Sequence, residues 1–143
     1  EAEKFNSSIY IMVGSLDYLK RGGRVTPAAA LLGGLLRIRP ILQIQGEKLD
    51  AFAKARSLKA AKKIMFDALH KDLDGRFKPF VDKKEMEVYI SYTHGQPEQV
   101  KQWFEEVKTE FSDFNVTQDP LSLSISCHTG PGCLGIGCAR KVV

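Results

Sequence analysis

Apolar and polar positions alternate along this chain with two different periods. Ile9 to Val13 is an unbroken apolar run, which predicts a strand buried on both faces. Ser15 then caps a short helix with Leu16 and Leu19 on one side. Lys20 and Arg21 fall in its last turn and Gly22-Gly23 stop it. Thr26-Pro27 reads as an N-cap followed by proline at the first helical position. The segment from Ala28 to Leu36 is apolar all round, which predicts a buried helix. Its alanines and Gly33-Gly34 permit close approach of neighbouring backbones.

Ile38 to Gln45 and Leu49 to Ala55 read as two strands of a hairpin joined across Gly46. Ser57 caps a helix running to about Leu73, whose apolar stripe is Leu58, Ala61, Met65, Ala68 and Leu69. Asp74 to Lys84 is polar and turn-rich, which predicts a surface loop. Val88, Ile90 and Tyr92 alternate with Glu87, Tyr89 and Ser91, the period of a strand. His94-Gly95-Gln96-Pro97 breaks it, and Val100, Trp103, Phe104, Val107 and Phe111 mark one face of the next helix, as core packing rather than a cofactor box. Phe114 to Gln118 is a short strand, with a turn at Asp119-Pro120. Leu121 to Ser126 alternates strictly, predicting a strand with Ser122, Ser124 and Ser126 on one face; carried two residues further, it puts His128 on that serine face. This order predicts an α/β fold, a two-layer α/β sandwich with a mixed sheet and packed helices.

A length of 143 residues fits one domain, and 43% hydrophobic with 27% charged residues is a globular mixture. The longest apolar stretch, Pro27 to Leu36, is too short to span a bilayer, and no secretory leader is visible. The first residue is Glu1 rather than Met, so the chain is expected to be a piece of a longer protein. The net charge is +4, unevenly spread: residues 1–63 hold 12 basic and 5 acidic groups, residues 64–143 hold 9 and 12. That asymmetry fits either a basic half facing an anionic partner or an unevenly charged solvated face. Three cysteines, Cys127, Cys133 and Cys138, with no leader point to a reducing, cytoplasmic compartment. Their spacing is wider than the paired cysteines of zinc sites, which favours small buried thiols over metal ligands.

The densest chemical signal is His128-Thr129-Gly130-Pro131-Gly132, extended by Leu134-Gly135-Ile136-Gly137. Glycines beside a proline allow a sharp turn whose N–H groups, from Gly130, Gly132 and Cys133, approach an anion. A glycine-rich turn ahead of a last strand, with His128 bonded locally, explains the same residues equally well. No base and nucleophile pair can be read from the spacing, and neither a Walker pattern nor a dinucleotide fingerprint is present. The basic half lacks the interleaved aromatics that stack nucleic-acid bases.

Leu16-Asp17-Tyr18-Leu19-Lys20-Arg21-Gly22-Gly23-Arg24 resembles the signature that opens the C-terminal domain of the DegV family of bacterial fatty-acid-binding proteins. Three further matches follow in order: Lys54-Ala55-Arg56 before a lysine-rich helix, Tyr92-Thr93-His94-Gly95 before another, and the terminal His128-Thr129-Gly130-Pro131-Gly132. The resemblance covers nearly all of residues 1–143 and implies a non-catalytic lipid-binding domain, with the family's N-terminal domain absent from this chain. It implies a long-chain fatty acid held in a tunnel between two domains and presented to an ATP-dependent fatty-acid kinase subunit, with no cofactor, no metal and no catalytic group of its own. His128 would face the carboxylate, Thr129, Gly130 and Gly132 would shape its site, and Arg24 and Arg56 would lie near the exposed end of the lipid or the partner surface, on the same side as His128. Nucleic acid is not an expected partner; contact with a membrane surface is compatible. Two readings from other classes stand beside it: an anion-binding domain of a small-molecule enzyme that uses His128, and a basic nucleic-acid-binding module.

Overall fold

The computed structural model describes residues 2–23, 38–46 and 49–141. The predicted helix from Ala28 to Leu36, its Thr26-Pro27 start and Arg24 lie outside the described residues. After a 3-10 turn at Ala2–Phe5, the described elements are β1 (Ser7–Met12), α1 (Asp17–Arg21), β2 (Arg39–Ile44), β3 (Leu49–Ala55), α2 (Leu58–Asp74), α3 (Lys78–Val81), β4 (Met86–Tyr92), α4 (Pro97–Glu110), β5 (Val116–Pro120), α5 (Leu123–Thr129) and β6 (Leu134–Arg140). The six strands form one mixed sheet in the order β3-β2-β1-β6-β4-β5. Only β4 and β5 pair in parallel, across the crossover helix α4, as parallel neighbours require. The two-layer α/β sandwich with a mixed sheet is therefore observed. No helix among the described residues is long and apolar enough to cross a membrane.

The helical layer follows from local signals. The Ser57 hydroxyl accepts the Ala60 N–H and starts α2, and the stripe Ala61, Met65, Ala68, Leu69 and Leu73 is buried. On α4, Val100, Trp103, Val107 and Phe111 are buried, and the Trp103 indole donates to the Gly135 carbonyl at 3.0 Å. Trp103 also stacks on Phe66 of α2, tying the two helices together over one face of the sheet. The aromatic stripe is core. At the far end of α2, Asp72 accepts from the hydroxyls of Ser8 and Tyr10, and Arg76 donates to the Ser7 carbonyl and the Ser8 hydroxyl, which locks this layer to β1.

Three expectations are corrected. The loop predicted from Asp74 to Lys84 contains α3, because Phe77 is buried and Phe80 and Val81 pack against the helical core. Asp119-Pro120 is not a turn but the end of β5, paired with Ser91 and Tyr92; an edge strand tolerates its proline. Leu121 to Ser126 is not a strand: Leu123–Thr129 is helix α5. The strand that follows the glycine turn, as one reading of it has it, is Leu134–Arg140, in the middle of the sheet with Leu134 to Cys138 all buried. Helix α5 and the central place of this strand share one cause. β5 lies on the far side of β4 from β6, so the connection must cross two strand spacings, about 10 Å. Helix α5, laid over the second face of the sheet, makes that crossing.

Candidate ligand-binding groove

The second face of the sheet is only partly covered. Its smaller core joins Ile11, Val13, Leu19, Leu42 and Cys133, with Ile9, Leu16, Ile44, Leu49 and Leu121 against it. The short helices α1 and α5 sit over this face and leave a groove of about 340 Å³ lined by Ile9, Ile11, Leu19, Leu42, Ile44, Leu49, Tyr89, Ser91, Leu121, Ile125, His128 and Thr129. Strand register explains its shape. One row across the floor runs Leu49, Ile44, Ile9, Gly137, Tyr89, and the next runs Leu42, Ile11, Gly135, Ser91. Branched aliphatic side chains stand on β1, β2 and β3, while β6 contributes glycines over which the Ser91 and Tyr89 side chains of β4 lie.

The roof is built by two reciprocal contacts between α1 and α5. A Cβ on Gly22 would stand 2.1 Å from the Nδ1 of His128, and one on Gly130 would stand 2.4 Å from the Tyr18 ring. Each helix ends on a glycine that seats the other helix's ring. Gly130 has φ +74, the left-handed region, so it also supplies the turn that ends α5. Because α5 is a helix, Ile125, His128 and Thr129 share one face at the i, i+3, i+4 spacing and line the groove together. The serine face expected from a strand does not form.

His128 Nδ1 is buried with no hydrogen-bond partner among the described residues, whereas Nε2 is not enclosed in this way. Thr129 is buried and its hydroxyl donates back to the Ile125 carbonyl at 3.3 Å. The glycine turn carries fewer free donors than its sequence suggests. The Gly130 N–H is taken by the Ser126 carbonyl, and the Cys133 N–H by the Thr93 hydroxyl. Leu134 to Gly137 belong to β6, where their backbone serves the sheet. Gly132, also in the left-handed region with φ +74, retains an N–H without a partner among the described residues.

His128, Thr129, Gly130 and Gly132 are thus brought together where α5 meets β6. Arg56 is exposed and follows the end of β3. The pairing of Ala55 with Arg39, and of Met12 with both Ile41 and Leu134, puts it at the same end of the sheet. Three strand spacings, about 14 Å, separate β3 from β6. Gly135 and Gly137 belong to the run that extends the glycine signal, whereas Tyr89 and Ser91, which lie over them and line the groove, were not among the expected site residues. Two glycines at period two inside an apolar strand are the signal for them, since glycine in a strand marks close approach. Cys127 is exposed, while Cys133 and Cys138 are buried, and burial pushes both buried thiols up to about 12.

The family model described as an uncharacterised protein of the DegV family matches residues 1–141. The chain belongs to the DegV family. A DegV domain-containing protein of Clostridium perfringens is 32% identical over 128 residues, covering 89% of this chain and 41% of that protein. Protein DegV of Bacillus subtilis is 27% identical over 139 residues, covering 95% and 46% respectively. The chain spans less than half the length of these relatives. Among solved structures, a stearic-acid-binding protein from Eubacterium ventriosum superposes with TM-score 0.80 at 26% identity, over 98% of this chain and 46% of that one. A DegV family protein from Thermus thermophilus, described by its fatty-acid binding, gives TM-score 0.78 at 28% identity, over 95% and 46%. The DegV match is thus one of sequence and of fold, and the DegV structures similar to this chain include fatty-acid-binding proteins.

Proposed function

We propose that this chain is a non-catalytic fatty-acid-binding domain, the C-terminal half of a two-domain cytoplasmic carrier that holds a long-chain fatty acid and presents its carboxylate to an ATP-dependent kinase subunit. The observation that carries the reading is the groove itself: an almost wholly apolar channel of about 340 Å³, with His128 and Thr129 at its α5 side. That volume lies at the low end for small-molecule sites, which fits half of a tunnel whose other wall comes from a second domain. His128 faces the carboxylate, with Thr129, Gly130 and the free Gly132 N–H shaping its site. Arg24 and Arg56 lie near the exposed end of the lipid or the kinase surface.

One feature favours a carrier over an enzyme. Among the described residues that line the groove, His128 and Tyr89 are the titratable ones. Burial raises the Tyr89 phenol further above its ordinary range, which leaves His128 without a second group for acid–base work. A nucleic-acid role is disfavoured because two lysines of the basic half are engaged, Lys62 with Glu106 at 2.6 Å and Lys63 with Asp67 at 2.9 Å.

Native mass spectrometry of the full-length protein after mild extraction tests the reading. A bound species with the mass of a long-chain fatty acid is expected. A protein that carries none and takes up no added palmitate would overturn it.

A further inference from the structure

The groove has one polar side. Tyr89 and Ser91 of β4 face it, and each lies over a glycine of β6. A Cβ on Gly135 would stand 2.3 Å from the Ser91 hydroxyl. One on Gly137 would stand 2.6 Å from Tyr89 Cζ and 2.7 Å from its hydroxyl oxygen. It is therefore the tip of Tyr89 that overlies β6, so the side chain reaches across a full strand spacing of about 4.8 Å. The hydroxyl arrives in the middle of the floor, facing the Ile9 and Ile44 side of the same row. It makes no hydrogen bond with the described residues. Burial holds the phenol protonated well beyond neutral pH, so it remains a donor as well as an acceptor.

A phenylalanine would fill the same notch without an unpaired hydroxyl. The hydroxyl is not among the sealed polar atoms of the described residues, so it opens to the groove, where a polar group on a ligand can meet it. The position is also informative. β6 enters from the Gly130–Gly132 turn, and Gly137 lies two residues beyond Gly135, about 7 Å deeper. A chain with its carboxylate near His128 meets Tyr89 in its interior, not at its head.

We propose that Tyr89 is a specificity-determining residue of this groove, whose hydroxyl selects acyl chains bearing a hydroxyl group along the chain over unsubstituted chains of the same length. The inference rests on the acyl-chain reading of the groove and adds to it the kind of chain preferred.

Calorimetric titration of the full-length protein with stearate and with hydroxystearates, the hydroxyl moved stepwise along the chain, tests it. One mid-chain position is expected to bind about tenfold more tightly than stearate, the factor for one net hydrogen bond. In Tyr89→Phe, which keeps the ring and its packing on Gly137, that advantage should vanish while stearate binds as well or better. No preferred position in the wild-type protein, or an advantage that survives Tyr89→Phe, overturns the inference while the acyl-chain reading stands. A wild-type protein that binds neither class of ligand overturns both.

Discussion

His128 has one ring nitrogen pressed against Gly22 and sealed from partners, and that restricts how it can act. A buried N–H with nothing to accept it is costlier than a buried lone pair. The neutral ring therefore holds its proton on Nε2, the nitrogen that Gly22 does not seal off. As a donor to a carboxylate this bond is worth about 1.5–3 kcal/mol, so His128→Ala should weaken fatty-acid binding in the full-length protein about tenfold or more. His128→Gln, which can keep a donor at the ε position, should retain more affinity than His128→Asn; the reverse order in a titration would contradict the assigned nitrogen. The glycine seats make a second prediction. Gly22 has φ −81, an ordinary value, so Gly22→Ala is opposed by the His128 ring alone. It should destabilise the fold by about 1–3 kcal/mol, and most of that loss should disappear in the Gly22→Ala, His128→Ala double variant. Gly130→Ala should not be rescued by Tyr18→Ala, because its backbone is left-handed whatever the neighbour. Urea denaturation of the four variants and two doubles measures both.

At the scale of elements, α5 and β6 are the pair that builds the site, and neither follows from local pattern. Leu121, Leu123 and Ile125 alternate as a strand would, yet in the helix Leu123 is 82% exposed while Thr129 is buried. The alternation records two different environments along a helix. β6 carries Cys138 within it and Cys133 just before it, and their burial has a consequence for pH. The unfolded thiols ionise near the ordinary value of 9.0 and the native ones at about 12. Between those values the unfolded chain binds fewer protons than the native one. The stability present below pH 9 therefore falls as pH rises through this window, by up to about 1.4 kcal/mol per pH unit for each thiol. The urea midpoint should drop steeply above pH 9 and less steeply in Cys133→Ala. In the native protein at neutral pH one thiol per chain, the exposed Cys127, should react with an alkylating reagent, and all three should react in denaturant.

For the whole molecule the proposed division of labour sets the affinity. Each buried methylene contributes about 0.8 kcal/mol, so a sixteen-carbon chain fully enclosed gains about 11 kcal/mol. If this sheet face covers about half of it, about 5 kcal/mol is missing from the 143-residue chain alone, or three to four orders of magnitude in affinity. The apolar rim is already visible, with Leu123, Ile125 and Tyr18 all exposed. Titration of palmitate below its micelle-forming concentration should therefore show micromolar or weaker binding to this chain by itself. Submicromolar one-to-one binding would show that one domain is enough.

What the sequence determined by itself are the elements whose causes lie within a few residues. Ser57 and the stripe behind it make α2; Pro97 and the Val100–Phe111 spacing make α4; the β2–β3 hairpin and β4 follow from apolar runs bounded by turn residues. The DegV motifs belong with these, as short runs legible where they stand. The tertiary structure alone decided that β6 enters the centre of the sheet and that α5 crosses over β4 to reach it. It also decided that Gly22 seats His128, and that Tyr89 lies over Gly137. Each of those depends on partners far apart in the chain. Periodicity specifies which face of an element is apolar, but not which element lies against it. The groove exists because strands distant in sequence put large aliphatic side chains, and glycines overlain by Ser91 and Tyr89, into the same rows.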